Sequence, residues 1–302
     1  MTGLAARVPA PRAGARTAAR PGVTRRRAGR VARYVAVYTF GLLFTGFSVA
    51  PLVWGVSTAL KTTQDLYAVP PRWIPNPVTF AHFVSVLHNQ AIIRGFFNTA
   101  VVSIATTAVA LVVGVLGGYG FSRFRFPGRT PLLWSVLFTQ LFPRVAVIVP
   151  FFITLRNLHL MNTLPGLVLA YLMVVFPVSI WLMKGFFDRV PVEIEEAAVV
   201  DGCSIPRLLW RIVVPMAKPA LVAAAMYAFV LAWNEFLFAL VFTQGLNNRL
   251  LSIALAFFID ENGIRWGELM AASLLMSIPA VIVFTASQRV LVRGLSEGAL
   301  RG

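Results

Sequence analysis

The stretch DRVPVEIEEAAVVDGCSIPRLLWRIVVPMAKPAL, Asp188 to Leu221, is a polar, charged insert between two long apolar segments. It reads as two short helices around a glycine turn. Pro191 stands where a helix can start, because the N–H it lacks would be unpaired there anyway. Val192 to Val200 then reads as helix, and Asp201-Gly202 ends it, glycine being the residue that best accepts a left-handed C-cap. Ser204 is placed to cap a second helix with Pro206 in its first turn. On that helix Leu208, Leu209, Ile212 and Val213 share one face, while Arg207 and Arg211 stand a turn apart on another. Pro215 and Pro219 punctuate the approach to the next apolar run. A compact helix–turn–helix with one apolar face, held at a membrane surface, is a shape for docking another protein.

The rest of the chain supplies the membrane. Of its 302 residues 58% are hydrophobic and only 13% charged, against about 25% charged in a soluble domain. The apolar residues fall into six runs near Tyr34–Leu60, Phe96–Ser122, Leu132–Leu155, Leu164–Phe187, Pro219–Phe242 and Leu269–Val290. Each is close to the roughly 20 residues a helix needs to cross about 30 Å of hydrocarbon. The expected fold is therefore all-α, a polytopic membrane protein of six transmembrane helices. The first run follows a basic tail and shows no small-residue cleavage site, so it reads as an uncleaved signal anchor.

The formal charge of +16 is distributed unevenly. Nine of the 27 basic residues lie in the first 33 positions, which hold no acid. That tail reads as disordered chain at an anionic membrane face, and lacks the aromatic interleaving of a nucleic-acid binder. With the N-terminus in the cytoplasm, twenty basic residues fall inside and six outside, with Arg144 left in a span. Both termini and the insert are then expected to be cytoplasmic. Cys203 is the only cysteine, which excludes an intramolecular disulfide. His82, His88 and His159 are not at metal-ligand spacing. There is no Walker A sequence, no G-x-S-x-G and no His-Glu-x-x-His, and Asp260-Glu261 are adjacent acids on a loop, not a glycosidase pair. A transporter built on this chain must borrow any ATPase.

Four polar groups within the spans are candidates for a translocation pathway. Gln140 and Arg144, four apart, share a helix face in the third span, with Pro143 favouring a kink between them. An arginine there costs roughly 2.5–3.5 kcal/mol and should face protein or water. It reads either as a pathway residue or as an internally paired group that sets helix register. Asn234 and Glu235, in the fifth span, read either as substrate contacts or as part of a hydrogen-bond network between helices. Counted as one helix from Lys218, Glu235 lies roughly 25 Å along the axis. Gly114 and Gly118 let another helix approach the second span closely. Thr79 to Leu87 reads as a short interfacial helix.

Glu196-Ala197-Ala198, three residues, Gly202, nine residues and Ile212-Val213-Val214-Pro215 resemble the EAA loop of ABC-importer permeases. That pattern is E-A-A, three, G, nine, I-x-L-P, and only Val214 departs from it. Further wording is similar to the sugar-importer branch: Leu60-Lys61, Trp73-Ile74-Pro75, Asn98-Thr99, the run Tyr119 to Arg129, Trp233-Asn234-Glu235-Phe236 and the tail Gly294 to Gly302.

The resemblance implies a type I ABC-importer permease fold of the shorter six-span kind and a role as a transport subunit for a sugar, oligosaccharide or polyol derivative, not as an enzyme. It implies a second permease, a cytoplasmic ATPase dimer and an extracytoplasmic solute-binding protein as partners. No cofactor is expected on this chain, since ATP and Mg belong to the ATPase. Glu196, Ala197, Ala198, Asp201, Gly202, Leu208, Leu209, Ile212 and Pro215 are the expected coupling residues. Leu208, Leu209, Ile212 and Val213, the apolar face of the second helix, meet either the ATPase or this chain's own spans. The expected organisation is a basic tail over 1–33, a first span and external loop over 34–94, the transmembrane domain over 95–290 with its coupling loop at 188–218, and a tail over 291–302. A secondary carrier driven by an ion gradient, usually built from paired inverted repeats, and a membrane scaffold without transport are the competing classes.

Overall fold

The computed structural model describes Val23–Glu261 and Gly263–Ala299, with side chains over 33–261 and 263–290. Most of the basic tail and the last three residues, on which two of the expectations above fall, lie outside the described residues. The chain divides into two compact units, Met1–Trp54 and Gly55–Gly302. Within the first, helix α1 (Val23–Ala59) exposes Tyr34, Phe40, Leu42 and Phe47, side chains suited to hydrocarbon and not to water.

The second unit holds the end of α1 and the other thirteen α-helices of the described residues. In chain order these are α2 (Thr63–Leu66), α3 (Ala81–His88), α4 (Gln90–Arg123), α5 (Arg129–Phe138), α6 (Arg144–Asn157) and α7 (Leu164–Phe187). They continue as α8 (Val192–Val200), α9 (Ile205–Leu208), α10 (Val214–Met216), α11 (Lys218–Trp233), α12 (Leu237–Phe242), α13 (Leu251–Ala256) and α14 (Trp266–Ala299). One two-residue hairpin, Ile259–Asp260 against Gly263–Ile264, is antiparallel. The chain is thus all-α in architecture, and α3 forms where Thr79 to Leu87 suggested a short helix.

Among the described residues, four helical segments are long and apolar enough to cross a membrane: Arg33–Ala59, Gln90–Arg123, Leu164–Phe187 and Trp266–Val290. Two bent helix pairs raise the number to six if each counts as one span. The second of these bends, 82°, lies between Met216 and Lys218, where the insert meets α11. The third and fifth expected spans are not straight helices. The third breaks after a 3₁₀ turn at Thr139–Leu141 and turns through 103° into α6. The cause is Pro143: it forces Phe142 into the extended region, at φ −72° and ψ 131°, as a residue before proline prefers. The fifth expected span ends as α11 at Trp233 and resumes as α12 only at Leu237.

The centre of the unit is the α4–α7 pair. Ser103, Thr106, Ala110, Gly114 and Gly118, at helical spacing on one face of α4, are small and buried. A Cβ on Gly114 would lie 3.2 Å from Ser179 Cβ, and one on Gly118 would lie 2.6 Å from Met183 Cβ and 2.8 Å from the Lys184 nitrogen. The close approach anticipated for these two glycines is what fixes the helices face to face. On α11, Ala224, Ala228 and Ala232 are fully buried at four-residue spacing, letting that helix pack closely in turn. At the Arg123 end of α4 a cluster of Val115, Tyr119, Met183 and Phe187 receives Ala198, Leu208, Leu209 and Val213 from the polar insert.

Candidate functional site

Helix α8 begins after Pro191, which occupies the N-cap position itself, with Glu193 and Glu195 in the first turn, where carboxylates favour the helix dipole. It ends as anticipated. Gly202 adopts φ +80°, its N–H bonds Val199 O at 2.9 Å, and the Cys203 N–H bonds Ala198 O at 2.9 Å. These two bonds form a Schellman cap. Ser204 holds the N-cap position of α9, but its side chain makes no capping bond.

The second half of the insert is not the uniform α-helix its pattern suggests. After α9 it widens into a π turn at Leu209–Val213, in which residues five apart come into line. Leu208, Leu209 and Val213 are buried and Ile212 packs beside them, all against this chain's own α4 and α7. In this chain these side chains belong to the intramolecular core. Of the other residues named from the motif, Ala198 is buried, whereas Glu196, Ala197, Asp201, Gly202 and Pro215 are exposed.

The outward surface of the insert is apolar around the turn. Val199 is 53%, Val200 86% and Ile205 52% exposed. Glu196, Val199 and Val200, at i, i+3 and i+4, form one face of α8. Sequence reasoning passed over the three apolar residues, although exposed valines beside a turn are the signal that would find them.

The inward surface carries a charge cluster that sequence reasoning missed. Glu195 is 6% exposed. Its carboxylate accepts from Arg123 Nε at 2.8 Å and from the Tyr119 hydroxyl at 2.9 Å, and pairs with Arg123 Nη2 at 2.7 Å. Arg123 Nη2 also donates to the Val190 carbonyl at 2.9 Å and Nη1 to Ser122 Oγ at 3.1 Å. The Ser122 hydroxyl donates to Asp188 at 2.8 Å, and Lys184 pairs with Asp188 at 2.6 Å. Burial pushes the Asp188 carboxyl up, but the hydrogen bonds from Lys184 and Ser122 and the charges of Lys184 and Arg129 outweigh it, leaving the group below its ordinary value.

Among the pathway candidates, Gln140 and Arg144 do not share a helix face, because the break at Pro143 separates the 3₁₀ turn from α6. They nevertheless line one cavity of about 320 Å³ with Thr139, Phe142, Val147, Met173 and Val174. Gln140 Nε2 donates to Val174 O at 2.7 Å, pinning the turn to α7. Arg144 makes no ion pair among the described residues.

Glu235 sits in the break after α11, not within a continuous helix. It is 5% exposed, and its carboxylate accepts from the Phe238 N–H at 3.1 Å and the Ala239 N–H at 3.3 Å. It closes the free N-terminus of α12. Its own carbonyl accepts from Ser252 Oγ at 2.9 Å. Asn234 is exposed and donates to Val230 O at 2.8 Å.

Residues 110–297 match the family described as binding-protein-dependent transport system inner membrane component. The diacetylchitobiose uptake system permease protein DasC of Streptomyces coelicolor is 33% identical over 86% of this chain and 94% of its own length. The trehalose transport system permease protein SugB of Mycobacterium tuberculosis is 30% identical over 90% of this chain and 99% of its own. Among solved structures, a chain of a bacterial ABC transporter involved in the import of the acidic polysaccharide alginate superimposes with a TM-score of 0.76 at 23% identity, covering 87% of this chain and 97% of that one.

Proposed function

From a chain that belongs to the family of binding-protein-dependent transport inner membrane components, we propose the permease subunit of an ATP-driven importer for a sugar, oligosaccharide or polyol derivative. The observation that carries this reading is the helix–turn–helix of α8 and α9. Its Schellman turn at Gly202 presents Glu196, Val199, Val200 and Ile205 outward while Ala198, Leu208, Leu209 and Val213 are packed against the spans. That is a rigid, partly apolar surface for a cytoplasmic ATPase, with Glu196 offered to a basic residue. ATP and Mg would be bound by that partner. The carbohydrate class follows the named relatives, which include uptake systems for diacetylchitobiose and trehalose.

A second permease would close the other side of the pathway. This chain's contribution is the cavity at Gln140 and Arg144, for which an unpaired cation facing water or solute is the inexpensive arrangement. Both termini and the insert lie in the cytoplasm, as the distribution of arginine and lysine favours. ATP closes the ATPase pair, the docked insert moves with it, and the spans exchange inward- for outward-facing access.

The test is uptake of labelled di- and oligosaccharides by host cells with and without the chain. The reading expects uptake lost on ATP depletion and retained with a protonophore. Uptake abolished by the protonophore at normal ATP would identify a secondary carrier instead.

A further inference from the structure

We propose that Glu195, Arg123 and Tyr119 are the link that carries movement of the docked insert into the spans, with α4 as the rod that conveys it across the membrane. This rests on the importer reading above.

The inner face of α8 offers few attachments. Of its nine residues only Glu195 and Ala198 are buried, and Ala198 contributes a methyl group that can slide. Glu195 is held instead from two directions. The Arg123 guanidinium sits at 2.7 and 2.8 Å from one carboxylate oxygen and the Tyr119 hydroxyl at 2.9 Å from the other. The same guanidinium spans to Val190 O, so α8 and the chain leading into it are fixed to the last turn of α4 together. A planar, multiply bonded arginine fixes direction as well as distance.

The far end of α4 is also tied. Asn98 Nδ2 donates to Asn247 O at 2.8 Å and to Arg249 O at 2.9 Å, and Thr99 Oγ1 accepts from the Leu251 N–H at 2.9 Å. The helix is unbroken from Gln90 to Arg123, a rod of roughly 50 Å at 1.5 Å per residue, of which roughly 36 Å separate Thr99 from Arg123. The glycine contacts with α7 stiffen it. A displacement of α8 therefore has a continuous route to the loop at Asn247–Leu251. The Lys184–Asp188–Ser122 bonds brace α7 against α4 beside this route but do not touch α8.

An ion pair that merely stabilises a fold can be exchanged for apolar side chains of similar volume, whereas removal of one partner leaves a buried charge. This separates the positioning role from a structural one. The test uses the whole importer purified from its host with its own partner subunits. ATP hydrolysis is measured with and without its solute-binding protein as isolated from that host, beside the ratio of ATPase to permease. The variants are Arg123→Met, the double Arg123→Met with Glu195→Met, Tyr119→Phe and Arg123→Lys.

The double variant is expected to restore the amount of complex lost in Arg123→Met, with a normal ATPase content. Its stimulation by the binding protein should fall roughly fivefold or more. Tyr119→Phe and Arg123→Lys, which keep the ion pair, should retain part of the stimulation. Full stimulation in the double variant would overturn the proposal. So would loss of the ATPase from it, which would make the cluster a support for the docking surface only. A wild-type complex that contains no ATPase would refute the importer reading itself.

Discussion

Glu195 and Glu196 are consecutive in the chain and face opposite ways. Glu195 is buried against Arg123 at 2.7 Å, and Glu196 stands exposed beside Val199 and Val200. One acid serves the interior and the other is available to a partner. Glu196→Arg should leave the chain at normal abundance and lower ATPase retention roughly tenfold, as reversing an interfacial charge does. Glu195→Ala should act differently, leaving the largely buried Arg123 guanidinium without its counter-charge at a cost of up to about 3–5 kcal/mol. Quantifying both proteins in purified membranes distinguishes the two outcomes.

Gly202 holds φ +80°, and a Cβ there would meet nothing within 4 Å. The constraint is thus conformational, about 1–2 kcal/mol for an L-residue in the left-handed region. Gly202→Asp should insert and accumulate normally yet lose coupled transport, because the turn and the charge of the docking surface both change. Normal uptake at normal abundance would remove the turn from the coupling role.

Two glycines of α4 should respond in opposite senses. Gly118 faces Met183, whose Cβ would stand 2.6 Å from any Cβ added at the glycine, while Gly120 has nothing within 4 Å. Gly118→Leu should cost about 1–3 kcal/mol or more through overpacking and lower the melting temperature. Gly120→Ala should raise helix stability by up to about 1 kcal/mol. A thermal-denaturation series in detergent reads both.

The capping position of Glu235 predicts a division between amide and methyl. Glu235→Gln keeps an oxygen able to accept from the Phe238 and Ala239 N–H groups and should keep most uptake. Glu235→Ala leaves those donors bare, costs about 1–2 kcal/mol, and should lower stability together with uptake. A change of apparent substrate affinity in the Gln variant without a change in stability would instead place the carboxylate on the solute.

Features governed by local rules were legible in the sequence. Gly202 was readable because a left-handed C-cap selects glycine, and Gly114 with Gly118 because four-residue spacing of hydrogen side chains marks a helix contact. Features that depend on distant partners were not. Nothing local distinguishes Glu195 from Glu196; the difference is made by Tyr119 and Arg123, more than seventy residues earlier in the chain. Pro143 announced a kink, but neither its size of 103° nor the bond from Gln140, in the turn before it, to Val174 of α7 is marked in the local pattern. Continuous hydropathy across 219–242 concealed the break in which Glu235 caps α12. The π turn at Leu209–Val213 likewise left no trace in a pattern that suits an ordinary helix.

The most direct measurement is isolation of the tagged full-length chain from its host's membranes in mild detergent, with the co-purifying proteins identified, alongside Val200→Asp. The account predicts an ATPase and a second permease with the wild type, and with Val200→Asp a complex that keeps the permease and loses the ATPase. A stable wild-type chain that brings down no ATPase would contradict it.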